Sequence, residues 1–176
     1  GEAVDIACAD PPDPGVIRAA LDGVPADVIV TPEGNRRKRL LIADMDSTII
    51  TGETLDDLAA HAGLGEVISA ITARAMNGEL DFKEALRERV AMLRGLSVSA
   101  LERTWDGIRL TPGAMELVAT MKAHGAFTAL VSGGFTWFTS RVKALVGFDL
   151  HRSNELLTDG GALLGRVAEP ILDRSA

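Results

Sequence analysis

A short apolar run that ends in two acidic residues constrains this chain more than any other feature. Residues 40–48 read Leu-Leu-Ile-Ala-Asp-Met-Asp-Ser-Thr, and the run Leu40–Ala43 is typical of a short buried strand. Side chains two positions apart on an extended chain point the same way, so Asp44 and Asp46 are predicted to face one site together. Two carboxylates placed like this repel each other unless a cation or a proton relieves the repulsion.

This acidic pair has the chemistry of phosphoryl transfer. A hard divalent cation such as Mg²⁺ fits a site made by Asp44 and Asp46, because carboxylate oxygens are its preferred ligands. Asp44 would then attack phosphorus as a nucleophile, while Asp46 gives a proton to the leaving oxygen and later activates water. The spacing leaves one alternative open, an ordinary strand end followed by a solvated Asp-x-Asp turn.

A second apolar run ends in residues that suit a phosphate. The segment from Phe127 to Phe135 contains Ser132-Gly133-Gly134, and a predicted helix follows from Thr136 to Leu145. A strand-to-helix turn directs backbone N–H groups at an anion, and glycine allows the backbone to approach closely. Ser132 and the amide of Gly133 are therefore predicted to bind phosphate. The alternative is a plain junction in which the glycines serve only the turn.

These two motifs together resemble the haloacid dehalogenase (HAD) superfamily, over the stretch from Arg39 to Ala176. The likeness is strongest to those members that remove phosphate from O-phospho-L-serine, since the dehalogenases lack the second acid. The resemblance implies an α/β fold, with a Rossmann-like parallel sheet of the HAD type, an inserted helical cap and a β-hairpin near the C-terminus. It also implies that Asp44 is the nucleophile, and that Asp46 is the acid–base and binds Mg²⁺ through its backbone carbonyl.

The stretch between the two motifs reads as mostly helical and is predicted to form the cap, residues 53–109. At 100° per residue, Phe82, Leu86 and Leu93 share one apolar stripe, and Arg89 lies in the middle of it. An arginine in that place must extend to solvent, pair with an acid, or face a pocket that holds an anion. The residue pattern leaves all three open.

The resemblance assigns these cap residues to an amino-acid substrate. It implies that Arg89 binds the substrate carboxylate, that Glu53 binds its ammonium group, and that Met76 and Phe82 line the same pocket. The implied reaction is hydrolysis of O-phospho-L-serine to serine and phosphate, the last step of serine biosynthesis. From the residues alone, Glu53 is equally suited to capping a helix and both apolar side chains to ordinary core packing.

The chain departs from the family pattern at its end. A complete member has a lysine after the third region and then a strand ending in Gly-Asp-Gly-x-Asn-Asp, and neither is present before Ala176. The chain is therefore similar to the N-terminal portion of a longer enzyme. We expect the sheet to be incomplete, the polypeptide to be inactive or nearly so on its own, and its exposed sheet edge to favour self-association.

Composition limits the classes of partner that this chain is expected to bind. The net charge of −7 argues against nucleic acid, because a domain that binds phosphate backbones carries a basic surface. No apolar run is long enough to span a membrane, and a single cysteine, Cys8, fits a cytoplasmic location. The expected partner is thus a small molecule, O-phospho-L-serine.

The first 38 residues form a separate short unit in this interpretation. Residues 3–8 are predicted as a strand, 14–21 as a helix and 26–30 as a second strand, either as the remnant of a regulatory domain or as a piece packed on the core. The catalytic core is assigned to residues 39–52 and 110–176. Phe148 to Leu150 is predicted as a third parallel strand, and residues 155–167 as a hairpin around an Asp-Gly turn.

Two other functions share the same residues. One is a phosphotransferase of the same fold that moves phosphate to another acceptor, such as homoserine, instead of water. The other is a non-catalytic module that binds a phosphorylated ligand through Asp44, Ser132 and Arg89.

Overall fold

The computed structural model describes residues 3–34 and 37–173, apart from the side chain of Met76. The chain divides into two compact units, residues 1–38 and residues 39–176. No helix in the described part is long and apolar enough to cross a membrane.

The N-terminal unit contains one short helix, α1, Pro14–Ala20. Asp13 precedes it and accepts a hydrogen bond from the amide of Gly15 at 2.6 Å, and proline is well suited to the first helical position. The two predicted strands are wrong, since residues 3–8 and 26–30 form none. Apolar residues there are exposed, with Ile6 at 79% and Ile29 at 82%, so no burial is available to fix strand pairing.

The second unit is built on a three-stranded parallel sheet in the order β1-β2-β3. Strand β1 spans Leu40–Ala43, β2 spans Phe127–Phe135 and β3 spans Leu150–Asn154. The first two strands agree with the prediction. The third begins at Leu150 rather than Phe148, and the preceding Asp149 bonds to Thr128 through both its backbone amide and its side chain.

Helices connect these strands. Between β1 and β2 lie α2 (Thr54–His61), α3 (Gly65–Met76), α4 (Phe82–Met92), α5 (Ser99–Gly107) and α6 (Ala114–Ala123), and α7 (Thr136–Val146) joins β2 to β3. An antiparallel hairpin follows, β4 (Leu156–Asp159) and β5 (Ala162–Val167), as predicted around Gly160 and Gly161. Strand β5 packs against α4, so the hairpin contacts the helical segment.

The two faces of the sheet differ in coverage. Right-handed connections that run in one direction along a sheet place their helices on the same face, and α6 and α7 both pack against β2. On that face Thr128 and Leu130 are fully buried. Residues in register point to the same side, so the other face carries a row of exposed apolar side chains: Leu40, Ile42, Phe127 and Leu150.

Asp149 joins three elements at the start of β3. Its carboxylate accepts hydrogen bonds from the amide and hydroxyl of Thr128, both at 2.9 Å, and lies 2.7 Å from Nζ of Lys122. These donors, Lys122 first, lower the pKa of Asp149 to about 2. The charged carboxylate thus ties the end of α6 to β2 and β3.

We expect Asp149→Asn to lower the stability of the chain at pH 7. The folded-state pKa is below the unfolded value, so the stabilisation is present above about pH 4 and is lost as pH falls towards 2. The measurement is urea unfolding at a series of pH values. The difference in free energy of unfolding between Asp149→Asn and wild type should shrink as the pH falls towards 2. Glu116→Gln on α6 is the control, and a pH-independent difference for Asp149→Asn would contradict this account.

Candidate active site

A cleft of about 250 Å³ opens where β1 and β2 end, against the first residues of α2 and one side of α4. Parallel strands place their carboxyl ends at one edge of the sheet, and ligands in such folds bind at that edge. Seven of the eight predicted site residues line it: Asp44, Asp46, Glu53, Phe82, Arg89, Ser132 and Gly133. The eighth is Met76, whose side chain lies outside the described part of the structure.

Both acids line the cleft, but strand β1 ends just before them, at Ala43. Residues 45–49 form a wide turn closed by a 3.0 Å bond from the amide of Ile50 to the carbonyl of Met45. Ser47 inside this turn has φ of 50°, a left-handed conformation that is uncommon for serine. Asp46 therefore lies within a turn and not in the strand.

Each carboxylate is fixed by a backbone amide. Oδ1 of Asp44 accepts from the amide of Met45 at 2.6 Å, and Oδ1 of Asp46 accepts from the amide of Thr54 at 2.7 Å. The second bond satisfies an N–H at the start of α2, where a helix has unpaired donors. Asp46 is therefore anchored to the first turn of the helical segment that covers the cleft.

Burial sets the protonation of Asp46. Loss of hydration raises the pKa of its carboxyl, donation from Thr54 opposes that effect, and the nearby charges of Glu53 and Asp44 raise the pKa further. A raised pKa keeps a proton on the carboxyl at higher pH than is usual for aspartate. This is the property that a general acid requires.

The last residues of β2 form an irregular loop that is packed too closely for side chains. A Cβ at Gly134 would lie 3.0 Å from Oδ2 of Asp46, and one at Gly133 would lie 2.9 Å from Cζ of Phe82. Neither glycine has a positive φ. Close approach, rather than turn conformation, therefore requires glycine at these two positions.

Ser132 and Asn154 hold this loop in shape. The amide of Gly134 donates to Oγ of Ser132 at 2.9 Å, and that hydroxyl lies 3.4 Å from Oδ2 of Asp46. The register of β2 with β3 shifts between Val131 and Phe135, so the loop leaves the strand ladder. Nδ2 of Asn154, which is only 3% exposed, donates to the carbonyl of Gly133 at 2.9 Å.

Arg89 faces the cleft without an acidic partner in the described structure. Its Nε donates to the carbonyl of Ala85 and its Nη1 to Oγ1 of Thr72, both at 3.2 Å. Burial lowers the pKa of its guanidinium, and Asp56 and Glu53 partly offset that effect from a distance. Of the three roles left open by the sequence, this placement fits the one in which arginine faces an anion pocket.

Glu53 does not cap α2 with its side chain. Its Oε1 accepts a hydrogen bond of 2.6 Å from Oγ of Ser47 instead, which holds the carboxylate at the cleft. Ser47, Thr72 and Asn154 were not predicted to be site residues. Ser47 gave a signal, since it follows Asp46 directly in the first motif, whereas Thr72 on α3 and Asn154 in the polar strand β3 gave none.

Comparisons with known proteins place this chain in one family. A model of the haloacid dehalogenase-like hydrolase family matches residues 41–174. The chain is 46% identical over 161 residues to a phosphoserine phosphatase of Archaeoglobus fulgidus, covering 90% of this chain and 47% of that protein. It is 41% identical over 157 residues to a phosphoserine phosphatase of Streptomyces coelicolor, covering 89% of this chain and 38% of that protein.

Solved structures show the same similarity. A phosphoserine phosphatase with an analogue of its phospho-aspartyl intermediate is 37% identical, with a TM-score of 0.70, and the match covers 75% of this chain and 63% of that one. A substrate-bound phosphoserine phosphatase is 36% identical, with the same TM-score and coverage. The chain spans about half the length or less of the two curated relatives described above.

Proposed function

Because the chain belongs to the haloacid dehalogenase-like hydrolase family, we propose that it carries the nucleophile and substrate-binding residues of a phosphatase that hydrolyses O-phospho-L-serine. The products are L-serine and phosphate, and the reaction passes through an aspartyl phosphate on Asp44. Its place in metabolism is the last step of serine biosynthesis.

One observation supports this substrate above all others. A partly buried arginine without an acidic partner in the described structure, Arg89, and a carboxylate, Glu53, line the same cleft as the acid pair and the loop at Ser132. A guanidinium binds a carboxylate, and a carboxylate binds an ammonium group. A ligand that carries both groups and a phosphate is an amino-acid phosphate ester, and O-phospho-L-serine is a small member of that class.

In the first step, an oxygen of Asp44 attacks phosphorus and the bond from phosphorus to the serine oxygen breaks. The amide of Met45 holds Oδ1 of Asp44, which leaves Oδ2 to attack. Asp46, whose pKa is raised by burial, gives its proton to the departing serine oxygen. Serine leaves with that proton, and Asp44 carries the phosphate as an acyl phosphate.

In the second step, water replaces the enzyme carboxylate. Asp46, now ionised, takes a proton from water, whose oxygen attacks phosphorus while the bond to Asp44 breaks. Free phosphate leaves and Asp46 holds a proton again, so the cycle closes. Throughout, the hydroxyl of Ser132 and the amide of Gly133 donate to phosphate oxygens, where negative charge is concentrated.

The acid pair is chemically suited to Mg²⁺. Its oxygen donors are the type that this ion prefers, although the described residues contain no group of three His, Cys, Asp or Glu that could hold a metal. The carboxylate of Asp44 and the backbone carbonyl of Asp46 would hold the ion, with water completing its coordination. Bound there, it would neutralise charge on the phosphate.

The test is titration calorimetry of the 176-residue chain with Mg²⁺ and O-phospho-L-serine. We expect this ligand to bind more tightly than O-phosphoethanolamine, which lacks the carboxylate, and than L-serine, which lacks the phosphate. Equal affinity for O-phospho-L-serine and O-phosphoethanolamine would contradict the assignment of an amino-acid substrate. A product that depends on an added alcohol such as homoserine would favour the phosphotransferase alternative.

We propose that this 176-residue polypeptide releases phosphate from phosphoserine far more slowly than the longer curated relatives described above. Among the described residues around the cleft, Arg89 is the cation, and its proposed ligand is the carboxylate. The transferring phosphate therefore lacks a cationic side chain of its own there. Turnover at rates near those of the longer relatives would contradict this proposal.

We also propose that the exposed face of the sheet associates with a second copy of the chain. Leu40 is 53% exposed and Ile42 62%, and β1 pairs with β2 alone among the described strands. An apolar groove of about 380 Å³ runs along the same strand, against Pro112 and Leu117. An unpaired strand edge next to apolar surface favours association.

Light scattering tests this association. We expect a mass above that of one 18.6 kDa chain at high concentration, and a lower mass for Ile42→Lys, which places a charge on the exposed face. Leu145→Lys on α7 is the control, since Leu145 is similarly exposed, at 49%, but lies on a helix. A monomer at all concentrations would contradict the proposal.

A further inference from the structure

The guanidinium of Arg89 is held in place by two uncharged oxygens. One is the carbonyl of Ala85, four residues earlier on the same helix, and the other is Oγ1 of Thr72 on helix α3. An acidic side chain in either place would cancel the positive charge of the arginine. Neutral acceptors fix its direction and leave the charge for a ligand.

Thr72 can only accept in this arrangement. Its hydroxyl donates to the carbonyl of Ile68 at 3.1 Å, so its proton is used and its remaining lone pairs face Arg89. The side chain of Thr72 is half-buried between α3 and α4 and does not line the cleft. It therefore acts on any ligand only through Arg89.

The two bonds also determine what Arg89 can still bind. A guanidinium has five N–H groups, and the bonds to Ala85 and Thr72 use two of them. The three that remain are on Nη1 and Nη2, the pair of nitrogens that can bind both oxygens of a carboxylate. Long side chains lose entropy when they are ordered, so an arginine oriented beforehand binds more tightly.

We propose that Thr72 is a positioning residue that orients Arg89 for the carboxylate of the substrate, and so contributes to selection of amino-acid phosphate esters. The inference rests on the proposed function, because it takes the ligand of Arg89 to be a carboxylate. It adds a residue of α3 that neither touches the substrate nor lines the cleft.

The test uses two variants and two ligands. Thr72→Val keeps the shape of the side chain but removes the hydroxyl, and Thr72→Ser keeps the hydroxyl but removes a methyl group. In calorimetry with Mg²⁺, we expect Thr72→Val to weaken binding of O-phospho-L-serine roughly three- to tenfold, the range for loss of one hydrogen bond. Binding of O-phosphoethanolamine should be unchanged, and Thr72→Ser should bind both ligands within about twofold of wild type.

A second measurement is independent of ligand. The Nη–H signals of Arg89 in a low-temperature ¹⁵N–¹H NMR spectrum of the free chain should include one that is protected from exchange in wild type and in Thr72→Ser, and that exchanges faster in Thr72→Val, because Nη1 is the donor to Thr72. Equal weakening of both ligands by Thr72→Val, or no change in either ligand or in the Nη signals, would overturn the inference. Wild-type chain that does not prefer phosphoserine over phosphoethanolamine would instead contradict the proposed function, and the Nη signals would still report whether Thr72 orients Arg89.

Discussion

Replacing Asp44 by asparagine should abolish the covalent phosphoenzyme and lower phosphoserine hydrolysis by about a thousandfold or more. An amide is a poor nucleophile, and it cannot form the acyl phosphate on which the second step depends. The amide oxygen can still accept the hydrogen bond from Met45, so the local fold should persist. The loss would therefore be one of chemistry and not of structure.

The measurement is phosphate release together with trapping of labelled phosphoenzyme. It is made on a protein that contains this chain and hydrolyses phosphoserine. Asp57→Asn is a matched control, because Asp57 lies on the exposed side of the first turn of α2 and does not line the cleft. Activity of Asp57→Asn should stay close to that of wild type. Normal activity in Asp44→Asn would remove the nucleophile assignment and favour direct attack by water.

Arg89→Ala should weaken binding of O-phospho-L-serine by about a hundredfold and leave binding of O-phosphoethanolamine nearly unchanged. Hydrogen bonds between charged groups contribute about 1.5–3 kcal/mol, and a guanidinium binds a carboxylate through two of them. The cleft of the variant would leave the substrate carboxylate partly dehydrated and without a cation. Both ligands carry the phosphate, but only O-phospho-L-serine carries the carboxylate. A loss of affinity for that ligand alone therefore reports the contact between Arg89 and the carboxylate.

Arg87→Ala is the control for that experiment. Arg87 lies on the same helix, α4, but its guanidinium binds Glu169 at 2.8 Å and is about half exposed, away from the cleft. Exposed ion pairs contribute little to stability, so this variant should fold and bind both ligands like wild type. If Arg89→Ala weakened both ligands equally, the arginine would be a phosphate ligand or a structural residue instead.

The helices between β1 and β2 contact the ends of these strands at the cleft. Asp46 anchors the first turn of α2, and the ring of Phe82 at the start of α4 lies against Gly133. Any motion of the helical segment would move these contacts together with Arg89.

Strongly patterned segments were predictable. Strands β1 and β2, helix α7 and the hairpin follow from apolar runs and glycine turns, which are local in sequence. The strands predicted in residues 3–8 and 26–30 failed for a related reason. A short apolar run is compatible with a strand, but a strand forms only where neighbours pair with it and bury it, and these residues remain exposed.

The sequence by itself determined which residues are proposed to carry the chemistry, because each of the two motifs is local. The acid pair lies within three residues at the end of β1, and the serine and two glycines are consecutive at the end of β2. Only the tertiary structure decided how those residues behave. Ser132 meets Asp46 across 86 residues, Asn154 holds Gly133 across 21, and Thr72 holds Arg89 across 17. Burial and partners of this kind arise when distant segments pack together, and they set the proton affinity of Asp46 and the direction of Arg89.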